Sequence, residues 1–265
     1  SSISVGVFDL SGDSTPELVT HFNISSSQMS ADEFTVHVKD FLLRNGIYDC
    51  SYAFEIDKRV IDCAAISSVV PSLTDVIFQA AMNISGKRPF VVSSGIRTGL
   101  ELRIKHPEQL GADIICNCAA AAEIASSPIV ILDMGTATTL TVIDKKLTIQ
   151  GIVIIPGLKS SLEALYNSAA QLSEPIFSDS PELLGKDTNS AICSGVINGN
   201  AFMVDGFIRN IRDELSITGT ETKLTLIATG GSAMTILPCL RNKFIYAKAL
   251  TLQGLAVLYR KNVKN

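Results

Sequence analysis

Residues 131–144 read ILDMGTATTLTVID, two apolar, β-branched runs on either side of a short turn that carries Asp133, Gly135, Thr136, Thr138 and Thr139. This pattern specifies a strand delivering a carboxylate to its own end, a glycine turn, and a second strand leading away. A turn of that composition can cradle phosphate. Glycine permits close backbone approach, amides and threonine hydroxyls donate to phosphoryl oxygens, and the carboxylate can hold a cation directly or through water. The same residues also suit an ordinary polar hairpin, so the rest of the chain must decide.

Around this hairpin the predicted elements repeat once. The first half reads strands 5–10 and 17–24, helix 31–44, strand 64–70, helix 72–83 and strand 90–93. The second reads strands 129–133, 140–144 and 148–155, helix 161–170, a long helix 188–215, strand 224–228 and helix 233–237. Ser30-x-x-Glu33 and Ser160-x-x-Glu163 each have the form of a capping box, the second just after a Pro156-Gly157 turn. Two copies of hairpin, helix, strand, helix indicate a duplicated α/β fold. No Pro-, Gly- or Ser-rich linker separates the copies, so two closely packed lobes are expected, 1–124 and 125–265, with a cleft between them.

Composition narrows the function classes. Apolar residues make up 46% of 265 and charged residues 18%, enough for a packed core. The net charge is −4 with basic residues scattered, so neither a nucleic-acid track nor a membrane-surface patch is expected. No apolar run reaches about 18 residues, and SSISVGVFD lacks the pattern of a signal peptide; a cytoplasmic protein is expected. The six cysteines (Cys50, Cys63, Cys116, Cys118, Cys193 and Cys239) read as reduced and mostly buried. Cys116 and Cys118 lie about 200° apart around a helix, which argues against a zinc site.

Four passages read together carry a family resemblance: AISSVVPSLT (65–74), TGLELRIKHPEQLGADI (98–114), DMGTATTLTVID (133–144) with IIPGLKSSLEAL (154–165), and GKDTNSAICSGVINGN (185–200). In this order and spacing they resemble type III pantothenate kinase, and the similarity continues through ATGG (228–231) to LTLQGLAVLY (250–259). The resemblance implies duplicated ribonuclease-H-like lobes of the actin and sugar-kinase superfamily, and a homodimer. It implies potassium-dependent phosphorylation of pantothenate by ATP with Mg2+, at the head of coenzyme A synthesis, the monovalent cation being K+ or NH4+.

Site residues follow from the same resemblance. Asp113, in the Gly111-Ala112-Asp113-Ile114 passage, matches the general base that accepts the pantothenate hydroxyl proton. Its place in the first turn of a helix suits a carboxylate. Gly111, Ala112, Ile114 and Thr188 match the substrate-binding positions, Gly135, Thr136, Gly230 and Gly231 the ATP-binding ones, and Asp133 the monovalent-cation ligand. Lys159 could help screen phosphate charge, although exposed lysines beside turns are usually solvated.

Three departures accompany the match. The family opens with a strand and an aspartate-bearing phosphate loop, and this chain aligns partway into that motif, so a short preceding segment is expected. Ile114 stands where the family has an arginine, and Ile104 where it has a tyrosine. Arg97, Arg103 or Lys105 could replace the missing cation, whereas His106 reads as surface. An altered pocket leaves two other readings open: a non-catalytic accessory relative of the same fold, or a kinase of another small hydroxylated metabolite.

Overall fold

The computed structural model describes residues 2–12, 15–25, 29–47, 61–93, 95–126, 128–168, 181–216 and 223–263. The chain divides into two compact units, one comprising Ser1–Gly99, His106–Glu123 and Leu250–Asn265, the other Leu100–Lys105 and Ile124–Ala249.

In the first unit, β1 (Ser2–Asp9) pairs antiparallel with β2 (Glu17–Ser25). Ile3, Val5, Val7, Phe22 and Ile24 pack against Phe34, Val38 and Leu42 of α1 (Ala31–Arg44), whose four-residue spacing makes one apolar face. The first expected capping box forms: Glu33 N–H donates to Ser30 Oγ at 3.2 Å and Ser30 N–H to Glu33 Oε2 at 2.8 Å. Those Ser30 bonds hold the Glu33 carboxyl below its usual range.

The next strands are shorter than their apolar runs suggest. β3 (Ala65–Ile66) and β4 (Phe90–Val91) pair in parallel over two residues each, flanking α2 (Pro71–Ser85). Expected strand 64–70 ends early because Ser68 makes a local turn. Val70 N–H donates to Ser68 Oγ at 3.2 Å, the Thr74 hydroxyl donates to the same oxygen at 2.8 Å, and Pro71 then starts the helix.

Helix α3 (Ala112–Ile124) is buried along Ile115–Ala121. It packs with the C-terminal helix Leu250–Val263, which the two-halves reading counts with the second lobe. Val257 and Leu258 join Val92, Ile115, Cys116 and Ala119 in one core. Burial pushes the Cys116 thiol up to about 12, with Asp113 adding to the rise, and raises Cys118 as well. Cys193 is also buried, Cys63 and Cys239 are half-buried, and Cys50 lies outside the described residues.

The second unit is built on a six-stranded mixed sheet. Its members are β5 (Glu101–Leu102), β6 (Ile129–Met134), β7 (Ala137–Ile143), β8 (Thr148–Pro156), β9 (Thr225–Thr229) and β10 (Ile245–Tyr246), in the order β10-β9-β6-β7-β8-β5. β6 to β8 form an antiparallel meander, while β9 runs parallel to β6. Ile129–Leu132 is buried on both faces, as a continuous apolar run at the centre of a sheet should be. Val130, Leu132, Met134, Leu140 and Val142 face a core shared with α4 (Leu158–Ser168), α5 (Thr188–Glu214) and α6 (Ala233–Ile236).

The second expected capping box does not form. α4 begins at Leu158, directly after Gly157, so Ser160 lies inside the helix and its hydroxyl donates to the Thr136 carbonyl at 3.1 Å. Positions 169–170 of the predicted helix lie outside the described residues. α5 is instead capped by Asp187, which accepts from Ser190 N–H at 3.0 Å while Ser190 Oγ accepts from Asp187 N–H at 3.1 Å. At 27 residues α5 is long and apolar enough to cross a membrane, yet Cys193, Val196, Ile197, Ala201, Val204 and Ile208 are buried in the core of its own unit.

Candidate functional site

The hairpin turn of the second unit presents Gly135 and Thr136 to solvent, with Gly135 N–H donating to the Ala137 carbonyl at 3.0 Å. Asp133, half-buried near the end of β6, is in register with Thr139 on β7 and with Thr229 on β9. One carboxylate therefore lies between two hydroxyl-bearing neighbours on the same sheet face, an all-oxygen donor set of the kind hard cations take. Thr138 is wholly buried on the opposite face, and its hydroxyl has no partner among the described residues. Of the turn threonines, Thr136 is exposed and Thr139 half-buried.

Two glycines grip this turn through backbone. A β-carbon on Gly157 would lie 2.7 Å from the Gly135 carbonyl oxygen and overlap that of Thr136. Gly230 has φ +95°, and a β-carbon there would lie 2.6 Å from the Met134 backbone. Ser232 N–H donates to the Met134 carbonyl at 3.1 Å, tying the turn after β9 to the hairpin. Gly231 has open space on its side-chain side. Asp133, Gly135, Thr136 and Gly230 are thus brought together at one end of the sheet. Thr188 is the first residue of α5 and exposed; Lys159 is exposed on α4. Hydrogen bonds from Ser190 hold the carboxyl of the capping Asp187 below its usual range.

In the first unit, Asp113 lies half-buried in the opening turn of α3, where the helix dipole favours negative charge. Ile114 N–H donates to its Oδ1 at 2.8 Å. A β-carbon on Gly111 would collide with that same oxygen and lie 3.7 Å from Val69 Cγ1. Gly111 and Ala112 border a cleft of about 250 Å³, which Ser68, Ser93, Glu108 and Leu110 also line. Ile114 is half-buried beside Asp113, and Ile104 is half-buried in the 100–105 segment of the second unit.

The side chains suggested as replacement cations are all exposed. Arg97 has its backbone clamped by Asn262, whose Oδ1 accepts from Arg97 N–H at 2.8 Å while its Nδ2 donates to Arg97 O at 2.9 Å. Arg103 reaches Gln150 at 3.5 Å, and His106 pairs with Glu108 at the surface at 3.2 Å. Sequence reasoning missed Gly157, Ser160, Thr229 and Ser232 as supports of the hairpin. Only Gly157, between a proline and an amphipathic run, left a signal that could have been read.

A hairpin bearing a carboxylate and gripped by glycine backbone, in a unit built on a mixed sheet, belongs to an α/β protein, the class expected from the sequence. Comparison with known proteins gives the family. The family model for type III pantothenate kinase matches residues 1–210. The type III pantothenate kinase of an Exiguobacterium species is 34% identical over 99% of this chain and 96% of its own length. That of Dictyoglomus turgidum is 35% identical over 93% of this chain and 92% of its own, and one from Listeria monocytogenes 32% over 98% and 93%. The chain belongs to the type III pantothenate kinase family. A solved structure from Campylobacter jejuni, described as a conserved Baf family transcriptional activator, shares the fold at TM-score 0.55 and 17% identity over 96% of each chain.

Proposed function

We propose that this chain transfers the γ-phosphoryl group of ATP to pantothenate, giving 4′-phosphopantothenate and ADP in the first step of coenzyme A biosynthesis. The observation that carries this reading is the family match across residues 1–210, joined by near-full-length relatives named for that activity. In this reading Asp113 accepts the pantothenate hydroxyl proton as that oxygen attacks phosphorus. Its Oδ1 is already engaged by Ile114 N–H, which leaves Oδ2 to take the proton. Gly111, Ala112, Ile114 and Thr188 are assigned to pantothenate, and Gly135, Thr136, Gly230 and Gly231 to ATP.

The exposed Thr136 suits phosphoryl oxygens through its hydroxyl and backbone N–H, and Asp133 between Thr139 and Thr229 suits a monovalent cation such as K+ or NH4+. Bound Mg2+ and the monovalent cation supply charge screening for the triphosphate. Alignment and charge neutralisation then account for the chemistry without a covalent enzyme intermediate. The protein is further proposed to be cytoplasmic and homodimeric, without nucleic-acid or membrane partners. Gly195, Gly199 and Gly206 on α5 have open space on their side-chain sides, and Phe202 and Met203 are exposed among them, which supports helix-to-helix pairing of two copies.

A coupled assay of ATP consumption with pantothenate, with and without K+, tests the reading on full-length protein. Turnover is expected, and Asp113→Asn should lower kcat by about 10²- to 10⁴-fold. Absence of turnover with pantothenate, or preference for another small alcohol, overturns the assignment.

A further inference from the structure

The helix that carries Asp113 rests on the C-terminal helix, α7 (Leu250–Val263), through a contact with no room for a side chain. Gly254 is buried, and a β-carbon on it would overlap the Cys116 carbonyl and lie 2.8 Å from the Cys116 Cα. Real β-carbons essentially never come within 3.0 Å of a heavy atom outside their own residue and its chain neighbours. Because the obstacle is α3 backbone and not the tip of a flexible side chain, relief requires one helix to move. The adjacent Asn117 is buried, and its Oδ1 accepts from the Thr251 hydroxyl, at 2.7 Å. At the far end Lys261 meets Glu123 at 2.9 Å. Asp113 precedes Cys116 by about 4.5 Å along the axis, at 1.5 Å per residue.

We propose that Gly254 and Thr251 are positioning residues for Asp113: α7 sets the height and rotation of α3, and through them the place of the base. The proposal rests on the assignment of Asp113 as base made above. A contact that only stabilised the unit would lower melting temperature and leave the kinetics of folded enzyme alone. A positioning contact changes kcat while the KM for ATP stays put, because an ångström of misplacement can cost about 100-fold in rate.

The test compares Gly254→Ala, Thr251→Val and Thr251→Ser in full-length enzyme, well below each variant's melting temperature, with amide exchange followed across 112–117. Gly254→Ala should lose about 100-fold in kcat and Thr251→Val about tenfold, with faster exchange at 112–117. Thr251→Ser keeps the hydroxyl and should stay within about twofold of the parent. A folded Gly254→Ala with parental kcat overturns the proposal; if that variant does not fold, a Thr251→Val with parental kcat does so. An Asp113→Asn enzyme that keeps its turnover removes the base assignment instead, and unchanged exchange in Thr251→Val would then overturn the seating of α3 independently.

Discussion

Gly157 and Gly111 each press against a residue of the candidate site, but what they press against differs in kind. Gly157 abuts the carbonyls of Gly135 and Thr136, which are backbone and cannot rotate away. Gly111 abuts a carboxylate oxygen of Asp113, which can. The hairpin is thus a piece of rigid main chain whose shape and stability are one property, whereas the setting of Asp113 is a choice of rotamer that can change without loosening the fold. The same substitution should therefore produce opposite signatures in the two places.

Gly157→Ala is expected to have the larger effect. Overpacking against backbone should cost roughly 1–3 kcal/mol in denaturant unfolding, and distortion of the turn should raise the KM for ATP while that for pantothenate holds. Equal stability of variant and parent would break the contrast. Gly111→Ala should leave the melting temperature nearly unchanged and lower kcat by about tenfold, because the new methyl displaces Asp113 Oδ1 from Ile114 N–H. Loss of stability without loss of kcat would show that Gly111 is a packing glycine like Gly157.

A smaller effect tests the departure at Ile114. Ile114→Arg places a cation beside Asp113, and a carboxylate-bearing substrate should then bind with a KM lowered by roughly three- to tenfold. A raised KM would show that the pocket is built around an apolar contact at this position. Smallest of all is Asp187→Ala at the head of α5. The Asp187 carboxyl is held below its ordinary value of 3.8, so its stabilisation is fully present above that pH and is lost as pH falls through the lower, folded-state value. Parent and variant melting temperatures should differ modestly at neutral pH and converge in acid below about 3.8, a convergence that thermal scans across pH would reveal.

Local signals were the ones legible in advance. Ser30 and Glu33 are three residues apart and complete their own cap, so the box could be read directly. Residues 131–144 contain both strands and the turn, and alternation along β6 and β7 separates the core-facing Leu132 and Met134 from Asp133. Where local logic failed, a competing partner was present. Ser160 bonds the Thr136 carbonyl instead of its own helix end, and Ser68 with Pro71 cuts short an apolar run that otherwise reads as a long strand. β5 and β10 are two residues long, too short for any periodicity to announce them.

Site positions divide along the same line. That Asp113 sits in the first turn of a helix and Asp133 at the end of a strand was readable, because helix starts and strand ends are written within a few residues. That Thr229 flanks Asp133 was not, since strand order places β9 beside β6 across nearly a hundred residues of chain. The local chain thus settled which segments are strands and helices, where carboxylates and glycines fall within them, and which faces are apolar. Folding alone decided that Gly157 and Gly230 close on the hairpin and that α7 returns to seat α3, because a steric fit between distant backbones leaves no trace in either segment beyond a glycine that could have served any turn.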